Sequence, residues 1–175
     1  MKKNIFKLSL ILSIASITTS VFADSHTLSL GYAQTKIEDN LKIRGVQTQY
    51  RYEFDSPLSL VGTLSYQTGD DKFEDFDEIG QIDVKHLSLL AGPAYRINEF
   101  FSVYGVIGLA NTKVDSSLIS TTDYDKYELS ETALAYGAGL ILNPTSQTAI
   151  NVGYEATKID DTKFTGFNIS FGYKF

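Results

Sequence analysis

The chain contains no cysteine, and that absence removes disulfide scaffolds, thiolate metal centres and cysteine nucleophiles together. It also has no run of about 20 apolar residues, the length that a membrane-spanning helix needs. The best candidate, Leu8 to Ile17, falls well short, so insertion by helices is excluded. Basic residues are in deficit: 15 Lys and Arg stand against 21 Asp and Glu, a formal charge of −6. Such a balance argues against nucleic acid or a bare anionic surface as a partner, because both attract basic patches. Tryptophan is missing, which leaves any aromatic role to Tyr and Phe, and there are only two His. With 43% hydrophobic residues over 175 positions, the chain is too apolar for disorder and suits one domain.

What is present begins with a leader. Lys2, Lys3 and Lys7 precede the apolar stretch, and Val21-Phe22-Ala23 offers a small-residue cleavage pattern. This is the layout of a secretory signal peptide. Cleavage is expected between Ala23 and Asp24, dividing the chain into a signal peptide, 1–23, and one folded domain, 24–175. Removal of three lysines brings the mature charge to −9.

From Asp24 onward, apolar and polar residues alternate in runs of about 9 to 12, the period of a strand with two unlike faces. The last run is the clearest. Phe167, Ile169, Phe171, Tyr173 and Phe175 share one face, and Gly166, Asn168, Ser170, Gly172 and Lys174 the other. Counting such runs predicts eight strands, near 25–35, 43–54, 58–68, 84–96, 101–112, 131–142, 148–157 and 164–175. Tight turns are expected at Asp55-Ser56-Pro57, Ile97 to Phe100 and Asn143 to Gln147. Longer charged loops are expected after the odd-numbered strands, the largest near 69–83 and 113–130. Short turns at one end and long loops at the other predict an all-β, eight-stranded antiparallel transmembrane barrel, an up-and-down meander with its turns in the periplasm.

A soluble β-sandwich alternates too, so the two faces must be compared. The polar face is mostly small, with Ser29, Gly31, Ala33, Ser88, Gly92, Ala94, Gly108, Ala135, Gly137, Gly139 and Gly153. Small residues suit the crowded interior of an eight-stranded barrel better than a water-facing sheet. Gln47, Gln49, Arg51, Glu53, Arg96 and Glu155 share this parity, as does Lys174. They are expected to form a polar network in the lumen, with Arg and Glu paired because lone buried charges are costly. On the other face, Tyr50, Tyr52, Phe54, Tyr95, Phe101, Tyr173 and Phe175 gather by the short turns, and Tyr32, Tyr66 and Tyr154 toward the loops. That distribution predicts two aromatic girdles at lipid interfaces.

Three stretches carry a resemblance: Gly45 to Leu58 (GVQTQYRYEFDSPL), Ala91 to Asn98 (AGPAYRIN) and Tyr104 to Gly108 (YGVIG). Ala135 to Gly139, Asn151 to Glu155 and the terminal Phe171 to Phe175 (FGYKF) extend it over essentially the whole mature chain. The chain resembles the Ail/Lom/OmpX outer-membrane proteins. The resemblance implies a barrel with both termini in the periplasm and a terminal Phe175 read by the barrel assembly machinery. It also implies surface adhesion to host cells, entry into them or resistance to complement, with no catalytic residues or cofactor to carry over. One departure concerns polyanions, which basic loops in some relatives would bind. Here Asp70, Asp71, Glu74, Asp75, Asp77 and Glu78 make the corresponding segment acidic, so a host protein with a basic patch is the better expectation.

Other chemistry finds little support. His26 opens the first strand and is expected to be a solvated terminal residue. His86 should point into the lumen near the outer mouth with Asp83 close in sequence, an arrangement that a rim hydrolase or acyltransferase would need, although a hydrogen-bonded lumen histidine is far commoner. The acidic segment lacks calcium-loop spacing, and no metal site is expected. Lys36, Lys42, Arg44, Lys113, Lys126, Lys158 and Lys163 lie toward the outer rim, where they can meet lipopolysaccharide phosphates. Phe73 and Phe76 within the acidic segment, and Asp123, Tyr124 and Tyr127 in the segment 113–130, complete the candidate partner-binding residues. A monomeric, non-catalytic interaction barrel is the leading reading, an envelope-structural barrel or a narrow solute pore the second, and the rim enzyme the third.

Overall fold

The computed structural model describes residues 25–37, 41–75, 78–120, 123–159 and 162–175, with side chains described throughout except at 71–82 and 116–128. The expected signal peptide and its Ala23/Asp24 junction lie outside the described residues, as do Phe76 and Asp77.

Eight strands follow in chain order: β1 (Ser25–Ile37), β2 (Lys42–Glu53), β3 (Leu58–Asp75), β4 (Glu78–Arg96), β5 (Phe101–Ser120), β6 (Asp123–Thr145), β7 (Thr148–Ile159) and β8 (Thr162–Lys174). Each pairs antiparallel with its neighbour, and β1 pairs with β8, closing the barrel. Closure leaves no sheet edge within the wall, which an apolar bilayer demands because it satisfies no backbone group.

Burial alternates along every wall strand, as in β1, where Thr27, Ser29, Ala33 and Thr35 are buried while Leu28, Leu30 and Tyr32 are exposed. Here the usual sense is inverted. Leu89 is 63% exposed and Phe171 64%, whereas Gln47, Gln49 and Arg51 are at most 2% exposed. An exposed apolar band of this extent is unstable in water and suits hydrocarbon. Pro93, which has no N–H to donate, also sits on the exposed face of β4, and the ladder to β5 skips from Ala91↔Ile107 to Ala94↔Tyr104 around it.

Two expectations need correction. The segments 69–83 and 113–130 are not mainly loops. β3 and β4 stay paired as far as Asp75↔Glu78, and β5 and β6 as far as Ser120↔Asp123. At the other end, Asn143 to Gln147 is not all turn. β6 runs to Thr145 through a register shift after Leu142, leaving Ser146 and Gln147 to turn the chain, with Thr145 Oγ1 accepting the Gln147 amide at 3.3 Å. The turn at Asp55-Ser56-Pro57 is as expected, tied by the Arg96 amide donating to the Pro57 carbonyl at 2.8 Å.

The strands are unequal in height. β2 meets β3 only from Arg44↔Thr68, and β6 meets β7 only from Ala135↔Thr157. Above those levels β3, β4, β5 and β6 rise as a four-stranded sheet. Among the described residues, its edges at 69–75 and 123–134 have ladder partners on one side only.

Candidate functional site

The lumen is built by parity. Within the closed wall the described side chains of one parity of each strand point inward, and the closing register then decides which of them meet. Near the turn end, Glu53 is the centre. Arg51 Nη1 lies 3.0 Å from its Oε1, Arg96 Nη2 donates to its Oε2 at 3.0 Å, and Lys174 Nζ donates to the same oxygen. Arg51 is 2% exposed and Glu53 4%, and Arg51 is further held by Nε to Ser59 Oγ at 2.9 Å and Nη2 to Ser102 Oγ at 3.1 Å. One carboxylate thus faces three cations, so that neither the buried Arg51 nor the buried Glu53 is left without an opposite charge.

Glu155 stands apart from that cluster, contrary to an expectation of general Arg–Glu pairing. Its contact is the Ser88 hydroxyl, and Ser88 in turn bonds Ser65 at 2.7 Å. Gln47 and Gln49 are fully buried on β2. Asn151 Nδ2 donates to Ser29 Oγ and Ser170 Oγ, each at 2.9 Å, linking β7 to β1 and β8. Tyr104 is also buried. Its ring lies where a Cβ on Gly139 would stand 2.5 Å from it, and a Cβ on Gly153 would meet its hydroxyl, so both glycines serve a close approach. This glycine slot becomes visible only once β5, β6 and β7 are in register.

On the exposed face, Tyr50, Phe54, Tyr95, Tyr173 and Phe175 are exposed and Tyr52 is half-buried. The ring of Tyr52 meets that of Phe54 edge-on at 4.9 Å. His26 belongs to this group and is not the solvated terminal residue expected. It stacks on Phe175 at 5.8 Å, its Nδ1 lies 2.7 Å from the Tyr50 hydroxyl, and its amide and carbonyl both pair with Phe175. The antiparallel β1–β8 closure imposes this, because the first strand must run beside the last.

His86 is fully buried in the lumen, as its parity implies. Its Nδ1 lies 2.8 Å from Thr112 Oγ1 and its ring stacks on Phe164 at 5.8 Å and 9°. Asp83 has the opposite parity, so the two do not form a histidine–carboxylate pair. Above His86 the lumen-parity residues turn apolar: Ile37, Val84, Val114, Leu129, Ile159 and Phe164 surround the outer mouth. Outside the mouth, Lys85 Nζ donates to Asp115 Oδ2 at 2.9 Å, and that hydrogen bond raises the Lys85 pKa above the usual lysine value. Asp70 is exposed on β3. For Asp71, Phe73, Glu74, Asp75, Glu78, Asp123, Tyr124 and Tyr127 only the backbone is described, all of it in strand.

A family model described as Enterobacterial Ail/Lom protein matches residues 1–175. The chain belongs to the Ail/Lom family. Among curated relatives of this family, the virulence membrane protein PagC of Salmonella typhimurium is 41% identical, with 95% of this chain and 98% of that protein aligned. The attachment invasion locus protein of Yersinia enterocolitica is 34% identical over the full length of both. The crystal structure of Ail from Yersinia pestis, in complex with the heparin analogue sucrose octasulfate, superposes with a TM-score of 0.77 at 32% identity, covering 88% of this chain and all of that one. This Ail/Lom chain is therefore an outer-membrane β-barrel of the virulence and adhesion type that PagC and Ail represent. The exposed apolar band is its lipid face.

Proposed function

We propose that this protein is a non-catalytic surface barrel whose lumen is filled and whose raised sheet meets host proteins, for adhesion or for complement resistance. The observation that carries this reading is the division of charge. Residues 69–84 and 114–134 hold twelve acids and two lysines, while the rest of 24–175 holds nine acids and ten Lys and Arg. A protrusion of that sign draws basic protein surfaces and repels polyanions. The Yersinia pestis relative was crystallised with a polysulfated sugar; the acids of 69–83 argue for a different partner here. The one-sided edges of β3 and β6 can add a partner strand through main-chain hydrogen bonds.

The remaining roles follow from the same frame. Residues 1–23 act as an export signal removed before Asp24, and Phe175 is presented to the barrel assembly machinery. Tyr50, Tyr52, Phe54, Tyr95, Tyr173 and Phe175 form the periplasmic girdle. Lys36, Lys42, Arg44, Lys113, Lys126, Lys158 and Lys163 face lipopolysaccharide phosphates, and the barrel works as a monomer. Gln47, Gln49, Arg51, Glu53 and Tyr104 obstruct the lumen, so the reading expects no stable single-channel conductance in planar bilayers.

The test replaces residues 69–83 by a short neutral turn in the full chain and measures attachment to cultured epithelial cells and survival in serum. Loss of either supports the reading. Unchanged results in both would move the role away from this hairpin.

A further inference from the structure

The outer mouth of the lumen is apolar although the lumen beneath it is polar. Ile37, Val84, Val114, Leu129, Ile159 and Phe164 line a cavity of about 240 Å³ there, with Glu131 as its one charged member. Its floor is fixed, because Phe164 stacks on His86 and Thr112 hydrogen-bonds the same ring. Its wall is open, because Leu129, on the lumen side of β6 by parity, is 60% exposed. A leucine left 60% exposed at the mouth contributes little to the free barrel, because most of its apolar surface stays in water.

The volume lies below the roughly 300 to 1,000 Å³ of pockets for drug-sized ligands, so it suits a single side chain. Lys36, Lys42, Lys158 and Lys163 stand on the β1–β2 and β7–β8 side of it, so the charge on its other side states what should flank that side chain. Val84, Val114 and Leu129 stand at the base of β3 to β6, whose outer segments carry the twelve acids against two lysines. We propose that this cup seats one bulky apolar side chain, a Phe or Leu, of a basic extended segment in a partner protein, while the acidic hairpins of β3 to β6, which rise on one side of the cup, hold the Lys and Arg next to it. The proposal rests on the reading above that the raised sheet meets a basic partner, and adds to it an anchoring position.

The probes are two synthetic peptides, one lysine-rich with a single central Phe and one identical except for Ser at that position. Fluorescence anisotropy measures both on the mature chain in lipid nanodiscs. The Phe peptide should bind about tenfold more tightly, as expected for burial of one aromatic side chain. Val114→Phe, which fills the cup, and Leu129→Ser, which strips its wall, should each bring the preference below about twofold and leave the Ser peptide's affinity unchanged. Folding of each variant is checked by circular dichroism, and either one suffices. Equal binding of the two peptides to the parent protein, or a preference that survives both substitutions, overturns the cup alone. Failure of both peptides to bind even at low salt overturns the basic-partner reading and the cup with it.

Discussion

The wall and the raised sheet are the same four strands under different rules. Within the wall, β3 to β6 have partners on both sides, apolar side chains outward and polar groups locked inward. Above it they keep their ladders to one another but lose β2 and β7, and with them closure. The wall must satisfy every backbone group, because hydrocarbon will not. The protrusion stands in water, so it can carry open edges and a large excess of acid. The difference teaches that function can be concentrated on the part of the strands that the bilayer does not constrain.

Four perturbations would break or sharpen this contrast. The largest effect is expected from Glu53→Ala, which strips Arg51, buried at 2% exposure, of its carboxylate and also releases Arg96 and Lys174. A loss of about 3 to 5 kcal/mol in the urea unfolding equilibrium is expected for such an uncompensated buried charge. Ile107→Arg, at the middle of the lipid face of β5, should cost about 2 to 4 kcal/mol in the same assay. Gly153→Ala would press on the Tyr104 hydroxyl and should cost about 1 to 3 kcal/mol. The cost should shrink in a Tyr104→Leu background, and a double-mutant cycle showing no coupling would remove the proposed slot. The smallest effect on folding should follow neutralisation of Asp70 and Asp115, which should change stability by less than about 0.5 kcal/mol while weakening the binding of basic peptides.

Legibility in the sequence follows the same division. In the wall, each side chain meets either lipid or a packed lumen, so the period of two survives, as in Phe167 to Phe175. At 113–130 the sequence shows no sustained apolar alternation. Asp115, Ser116, Ser117, Thr121 and Thr122 then read as loop, although the backbone is paired to Ser120↔Asp123. The lumen network was legible in membership and not in pairing. Parity placed Glu53 and Lys174 inside, but their meeting across 121 positions depends on the closing register. His26 was misread for a related reason, since its aromatic surroundings come from β2 and from the end of the chain.

The central claim, that one parity of each strand touches lipid while the other fills the lumen, can be tested along β5. Single cysteines introduced from Ser102 to Ser117 into this cysteine-free chain, spin-labelled in nanodiscs, report access to oxygen dissolved in lipid and to a water-soluble relaxant. Oxygen access is predicted to peak at Val103, Gly105, Ile107 and Leu109 and to fall at Ser102, Tyr104, Val106 and Ala110. Access to the water-soluble relaxant should replace the alternation beyond Val114. Oxygen access that is uniform, or highest at Tyr104 and Val106, would contradict the account.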